Sequence, residues 1–245
     1  MKDVIFWAVL VGGATIFGGW LGCFFRCESR RFFDGVLSFA AGVMLAAAML
    51  GLIIPSLESG GEFAVYRCIF GIFLGAGCVN LLDLIPALGV DRRDVTIGDR
   101  GRRVFLFVCA IALHNLPEGI ASGVGFGGED VSGGIMIATA IALQNIPEGL
   151  IVTASMMGVG VRPWRAFLIS AMTGVVEIVG CFIGYFAVSV SEALLPLILA
   201  FAGGTMLYVI SEEMIPETHS GEGGKISTWF LLIGFAFLLL LNALI

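Results

Sequence analysis

Eight long apolar runs, at 4–25, 35–57, 65–88, 103–124, 132–158, 164–190, 194–216 and 227–245, are separated by short polar stretches that hold most of the charge. Each run is close to or beyond the roughly 20 residues a helix needs to cross a bilayer. The runs are continuous rather than alternating, which rejects a membrane β-barrel and leaves helices, which satisfy their own backbone in hydrocarbon. The pattern predicts an all-α polytopic membrane protein of eight transmembrane helices, with residues 1–245 forming a single transmembrane domain. The first run follows Met1-Lys2-Asp3 with no basic leader and no small-residue cleavage site, so it reads as a span rather than a removable signal.

Composition narrows the class without changing it. Of the 245 residues, 58% are hydrophobic and 13% charged, with a mean hydropathy of +1.02, which excludes a soluble globular domain. The net charge of -6 comes with no basic patch beyond short loops, so nucleic acid is not an expected partner; the lipid bilayer is. The six cysteines (Cys23, Cys27, Cys68, Cys78, Cys109 and Cys181) lie in or at the ends of apolar runs with no C-x-x-C, and read as small packing residues.

Charge placement orients the chain. Eleven of the thirteen Lys and Arg residues fall after runs one, three, five and seven, whereas Glu58, Glu62, Glu129, Asp130 and Glu192 occupy the alternate loops. By the positive-inside rule both termini face out of the cytoplasm. A chain of this kind belongs in a plasma membrane, with the bacterial inner membrane as the expected location.

The chemistry is carried by a repeat. Residues 110–119 read A-I-A-L-H-N-L-P-E-G and residues 140–149 read A-I-A-L-Q-N-I-P-E-G, identical at eight of ten positions. The connecting loop is short, so the two segments run antiparallel, the inverted kind of repeat that places binding sites at mid-membrane in transporters. At ~1.5 Å per residue, His114 and Gln144 both reach the midplane. His114, Asn115 and Glu118 share one helix face through i, i+3 and i+4 spacing, as do Gln144, Asn145 and Glu148. Pro117 and Pro147 each remove a backbone donor, so a kink is expected beside each glutamate.

Glu177 adds a third carboxylate at similar depth. Three uncompensated mid-membrane glutamates would oppose insertion by roughly 8–10 kcal/mol, and no Lys or Arg lies within a span core to pair with them. Protons or a bound cation must do so. One imidazole with carboxylates and amides suits a divalent ion such as Zn²⁺, Mn²⁺ or Fe²⁺, whereas copper(I) would require more sulfur.

The paired segments His114-Asn115-Leu116-Pro117-Glu118-Gly119 and Gln144-Asn145-Ile146-Pro147-Glu148-Gly149 resemble the signature of the ZIP family of zinc and iron transporters, and most of all its short bacterial branch without histidine-rich loops. The resemblance extends over the whole chain. It implies a 3+2+3 helix arrangement with an inverted repeat and a two-metal centre between spans two, four, five and six. One metal would use Met44, His114, Glu118, Gln144 and Glu148; the second would use Asn115, Glu118, Asn145, Glu148 and Glu177. Zn²⁺ would be the transported substrate, with Cd²⁺, Fe²⁺ and Mn²⁺ as further cargo.

Many relatives carry histidine and aspartate where this chain has Gln144 and Asn145. The departure removes a nitrogen ligand and a charge, which predicts a strong first site and a weaker second one. Three carboxylates and two divalent ions would leave +1, whereas one ion plus one proton is neutral.

Glu58, beyond Pro55 at the outer end of span two, is the candidate entrance, and Asp83, Glu212 and Glu213 toward the cytoplasmic face are candidates for a release path. His219 is assigned no role. The small-x-x-x-small pairs Gly18/Gly22, Gly71/Gly75, Gly119/Gly123 and Gly180/Gly184 predict close helix contacts, including a homodimer face. Two other functions compete. An intramembrane metalloprotease needs the second histidine of H-E-x-x-H, and the only other histidine is His219 in a loop. A proton- or cation-coupled carrier of a small organic solute would also use buried carboxylates, but aromatic or basic contacts for such a solute are not evident near midplane. The reading is of a transporter, not an enzyme.

Overall fold

The computed structural model describes residues 2–24, 30–59, 61–89, 115–127, 131–190, 194–219 and 224–244. Every described element is helical, and they form eight rods. These are α1 (Lys2–Gly22), α2 (Arg30–Ala47, continued by a π-helical stretch Ala48–Ile53 and by Ile54–Ser59), α3 (a 3₁₀ turn Gly61–Phe63, then Ala64–Gly89) and α4 (115–127). The remainder are α5 (Val131–Gly158), α6 (Pro163–Val190), α7 (Leu195–Val209, a π-helical stretch Ile210–Met214, then Ile215–His219) and α8 (Gly224–Leu244). Seven of them are, by length and composition, able to cross a membrane, at 20–29 residues each. α4 is described only from Asn115 onward, so His114 and most of the predicted fourth run lie outside the described residues.

Several boundaries and two irregularities differ from the pattern. α2 begins at Arg30 rather than 35, and α7 continues to His219 rather than 216. At the start of α2, Phe33 and Val36 pack on the core and Asp34 is itself buried, so the inward face extends upstream of position 35. α5 runs through Pro147 without a break. The irregular backbone lies instead in α2 and α7, where π-helical stretches directly precede Ile54-Pro55 and Ile215-Pro216. Such bulges insert an extra residue into a turn and mark functional positions more often than chance.

Packing separates the rods into two groups. α1 packs on α5 and α6, and α4 on α6; α2 packs on α8, and α3 on α7; α2 also packs on α5, joining the groups. Glycine makes these approaches possible. A β-carbon at Gly18 or Gly22 of α1 would collide with the Ile146 or Leu150 carbonyl of α5. One at Gly180 or Gly184 of α6 would collide with the Leu116 or Ile120 carbonyl of α4. Gly42 of α2 meets the backbone of Leu231 in α8, and Gly204 of α7 meets that of Ile72 in α3.

The contacts recur at a fixed spacing, because Gly12-x₃-Ile16-x-Gly18-x₃-Gly22-x-Phe24 is matched 162 residues later by Gly174-x₃-Ile178-x-Gly180-x₃-Gly184-x-Phe186. Phe39-Ala40-x-Gly42-x-Met44-Leu45 is matched at the same spacing by Phe201-Ala202-x-Gly204-x-Met206-Leu207. Apolar attraction between helices is weak in lipid, so small residues that let backbones touch carry much of the association. All four small-x-x-x-small pairs are spent in this way: Gly71 and Gly75 lie on α7, and Gly119 and Gly123 on α6. The homodimer face expected from them is not carried by these glycines.

The outer faces remain apolar, with Phe70 and Phe73 on α3 and Leu232, Ile233 and Leu240 on α8 among the exposed side chains. Trp20 and Phe24 at the end of α1, Trp164 at the start of α6 and Trp229 near the start of α8 are also exposed. Their placement at rod ends matches the aromatic belt of a membrane interface.

Candidate metal centre

Glu118 on α4, Glu148 on α5 and Glu177 on α6 converge between the rods, all nearly or fully buried. One carboxylate oxygen from each lies within 4.8 Å of the others. Zn²⁺ binds oxygen at about 2.0–2.2 Å, which sets three oxygens around one ion roughly 3.3–3.8 Å apart, so the three would have to close by up to roughly 1 Å to share one cation.

The glycine after each glutamate creates this convergence. A β-carbon at Gly119 would collide with the Glu177 carbonyl, and one at Gly149 with the Thr15 carbonyl. α4 therefore lies directly on α6, and α5 directly on α1, at the level of the carboxylates. In P-E-G the proline precedes the functional side chain, and the glycine permits the helix crossing that gathers the carboxylates.

Amides line the remainder. Gln144 Nε2 donates to Glu118 Oε1 at 2.6 Å, and Asn145 Nδ2 donates to Glu177 Oε2 at 2.7 Å. Asn115 Nδ2 donates to Glu177 Oε1 and also reaches Glu148. An ionised carboxylate only accepts, so these partners fix which way each amide faces. The opposite atoms, Asn115 Oδ1, Gln144 Oε1 and Asn145 Oδ1, are buried with no donor among the described residues, as is Glu118 Oε2. Unmet buried acceptors cost about 1–3 kcal/mol each, so the four together represent roughly 4–12 kcal/mol that a cation would recover. An excess of buried acceptor oxygens over donors is the chemistry of a cation site.

The structure brings together Asn115, Glu118, Gln144, Asn145, Glu148 and Glu177 from the predicted set. Met44 is 1% exposed within the apolar core. Glu58 is exposed at the end of α2, and Glu212 is exposed in the π-helical stretch of α7. Glu213, in that stretch, is partly buried and close enough to Glu148 for their charges to interact. Asp83 falls within α3, its side chain outside the described set. His219 ends α7 with ring nitrogens 2.9 Å from the Ile215 carbonyl and 3.1 Å from Thr228 Oγ1 of α8, a tie between rods.

One residue at the centre escapes the motif. Thr15 of α1, fully buried, places its hydroxyl on Glu177 at 2.8 and 2.9 Å. The signal that locates it is the 162-residue spacing, which sets Thr15 opposite Glu177 between the matched glycines.

The sequence profile described as ZIP Zinc transporter matches residues 87–242. The chain is similar to the Zinc transporter ZIP11 of Xenopus tropicalis, at 32% identity over 96% of this chain and 94% of the relative. It is 41% identical to the Zinc transporter GufA of Myxococcus xanthus over 78% of each chain. It is 35% identical to the Zinc transporter ZIPB of Bordetella bronchiseptica over 96% of this chain and 80% of the relative. With the profile covering more than half of its length and these relatives matching 78–96% of it, the chain belongs to the ZIP zinc transporter family.

Proposed function

We propose that this multi-pass membrane protein carries Zn²⁺ into the cytoplasm through the three-carboxylate centre. The observation that carries the reading is the set of four buried acceptor oxygens without donors among the described residues, beside three converging glutamates. The similar proteins named as zinc transporters support the choice of ion. Cd²⁺, Fe²⁺ and Mn²⁺ share the ligand chemistry and are proposed as weaker cargo.

The primary position is assigned to Glu118, Gln144 and Glu148, completed by His114 and Met44 as the family resemblance implies. A second, weaker position lies toward Asn115, Asn145 and Glu177, with Glu118 and Glu148 shared. Glu58 stands at the outer mouth, and Asp83, Glu212 and Glu213 lie on the way out. The electrostatic interaction of Glu213 with Glu148 supports that order, since it links a carboxylate of α7 to the centre.

The 3+2+3 inverted arrangement is supported by the equivalent contacts at a spacing of 162 residues. In such folds the binding site lies where the repeats meet. The organic-solute carrier and metalloprotease readings find no favourable observation, and the ring nitrogens of His219 are engaged in the tie between α7 and α8. Uptake of labelled Zn²⁺ by reconstituted vesicles, with Glu118→Ala as the comparison, tests the proposal.

A further inference from the structure

Thr15 lies outside both copies of the repeated motif, yet it completes the hydrogen bonding of Glu177. A hydroxyl carries one proton, shared here between Oε1 at 2.8 Å and Oε2 at 2.9 Å. The Asn115 amide donates to Oε1, and the Asn145 amide to Oε2 at 2.7 Å. The second proton of Asn145 goes to the Val11 carbonyl of α1 at 3.3 Å. Both oxygens of Glu177 therefore have donors, whereas Glu118 keeps one oxygen with none among the described residues.

Resting on the metal-site reading above, we propose that Thr15 is a positioning residue that holds Glu177 as an anchor instead of leaving it open as a ligand. The centre then takes one divalent ion tightly. A donor proton and a cation compete for the same lone pairs, and hydrogen bonds to an ionised carboxylate are among the strong ones. An ion at Glu177 must displace the Thr15 hydroxyl and turn away amides that Asn115 and Asn145 already aim at it. Held as they are, both asparagines aim their amide nitrogens at Glu177, and their carbonyl oxygens are two of the buried acceptors without donors among the described residues.

The spacing of the two helices gives the same answer. Thr15 and Glu177 stand 162 residues apart, as do Gly12 and Gly174, which meet where α1 crosses α6. A carboxylate at both equivalent positions would give two charges needing a second cation. This chain instead has a carboxylate on α6 and a hydroxyl donor on α1, so one side neutralises the need of the other by hydrogen bonding.

The test uses the full chain in lipid nanodiscs, titrated with Zn²⁺ against a chromophoric chelator. The wild type binds one ion tightly and a second at least about tenfold more weakly, in proportion to a lost charge-assisted hydrogen bond. Thr15→Ser, which keeps the hydroxyl, matches it. Thr15→Val, which keeps the shape, frees Glu177 and narrows the gap between the two dissociation constants by about tenfold. Asn145→Asp replaces a donor by an oxygen and yields two ions of similar affinity.

Equal affinities in the wild type overturn the inference. So does a Thr15→Val titration identical to wild type, or a Thr15→Ser titration that follows Thr15→Val, since a packing role would respond to the methyl group. If Thr15→Val does not remain folded, Thr15→Ala, which also removes the hydroxyl, decides, and a gap between the two dissociation constants equal to that of the wild type overturns the proposal. Vesicle uptake run in parallel separates the two claims. Absence of Zn²⁺ uptake by the wild type sinks the transport reading alone, and normal uptake with an unaltered Thr15→Val titration sinks the role of Thr15 alone.

Discussion

Gln144 Nε2 stands 2.6 Å from Glu118 Oε1, joining the two copies of the motif across the interface of α4 and α5. The amide stabilises the ionised carboxylate and leaves its own carbonyl oxygen buried without a donor among the described residues, so as a ligand Gln144 would offer a hard oxygen where an imidazole would offer nitrogen. Gln144→His is expected to raise the preference for Zn²⁺ over Mn²⁺ by about tenfold, because imidazole favours zinc and carbonyl oxygen favours manganese. Competition uptake with both ions measures it, and an unchanged ratio would remove Gln144 from the ligand set.

Gly119 and Gly149 are expected to be as sensitive as the glutamates they follow. An alanine β-carbon would collide with the Glu177 or the Thr15 carbonyl, and such overpacking costs about 1–3 kcal/mol. Gly119→Ala and Gly149→Ala should each lower the melting temperature and depress uptake strongly. Gly158→Ala, where a β-carbon meets open space, should do neither. Thermal unfolding and uptake in the same preparation check the contrast.

Orientation follows from the basic loops. An epitope tag at either terminus should bind antibody in intact spheroplasts, and a tag between Arg93 and Arg100 should do so only after permeabilisation. A terminus protected in intact spheroplasts would reverse the direction assigned to Glu58 and Glu213.

The polar side chains that each contiguous motif brings to the centre were legible in the sequence because i, i+3 and i+4 spacing fixes a shared helix face before any tertiary contact is known. Glu177 was legible too, since a lone carboxylate in an apolar run needs a partner. Thr15 was not, because a threonine in a span costs little and carries no such demand; only its place between matched glycines distinguishes it. The π-helical stretches of α2 and α7 were hidden for a related reason. Proline marks where an irregularity is permitted, but tertiary packing decides which prolines have one, and Pro147 lies in unbroken helix while Pro55 and Pro216 follow π-helical turns. The glycine pairs were recognised as contact stripes, but their partners required the fold, and those partners lie within the chain.

The metal order is a further expectation. Carboxylate and amide oxygens with one imidazole should give Zn²⁺ and Cd²⁺ faster uptake than Fe²⁺ and Mn²⁺ at equal concentration. Manganese transported in preference to zinc would imply a centre built from oxygen alone and would remove His114 from it.

Uptake of radiolabelled Zn²⁺ into vesicles containing the purified chain bears most directly on the central claim. The wild type should load the vesicles well above protein-free controls, His114→Ala should load them far less, and Glu118→Ala should fall to the control level while remaining folded. Undiminished Zn²⁺ flux through Glu118→Ala would contradict a path that passes through the three-glutamate centre.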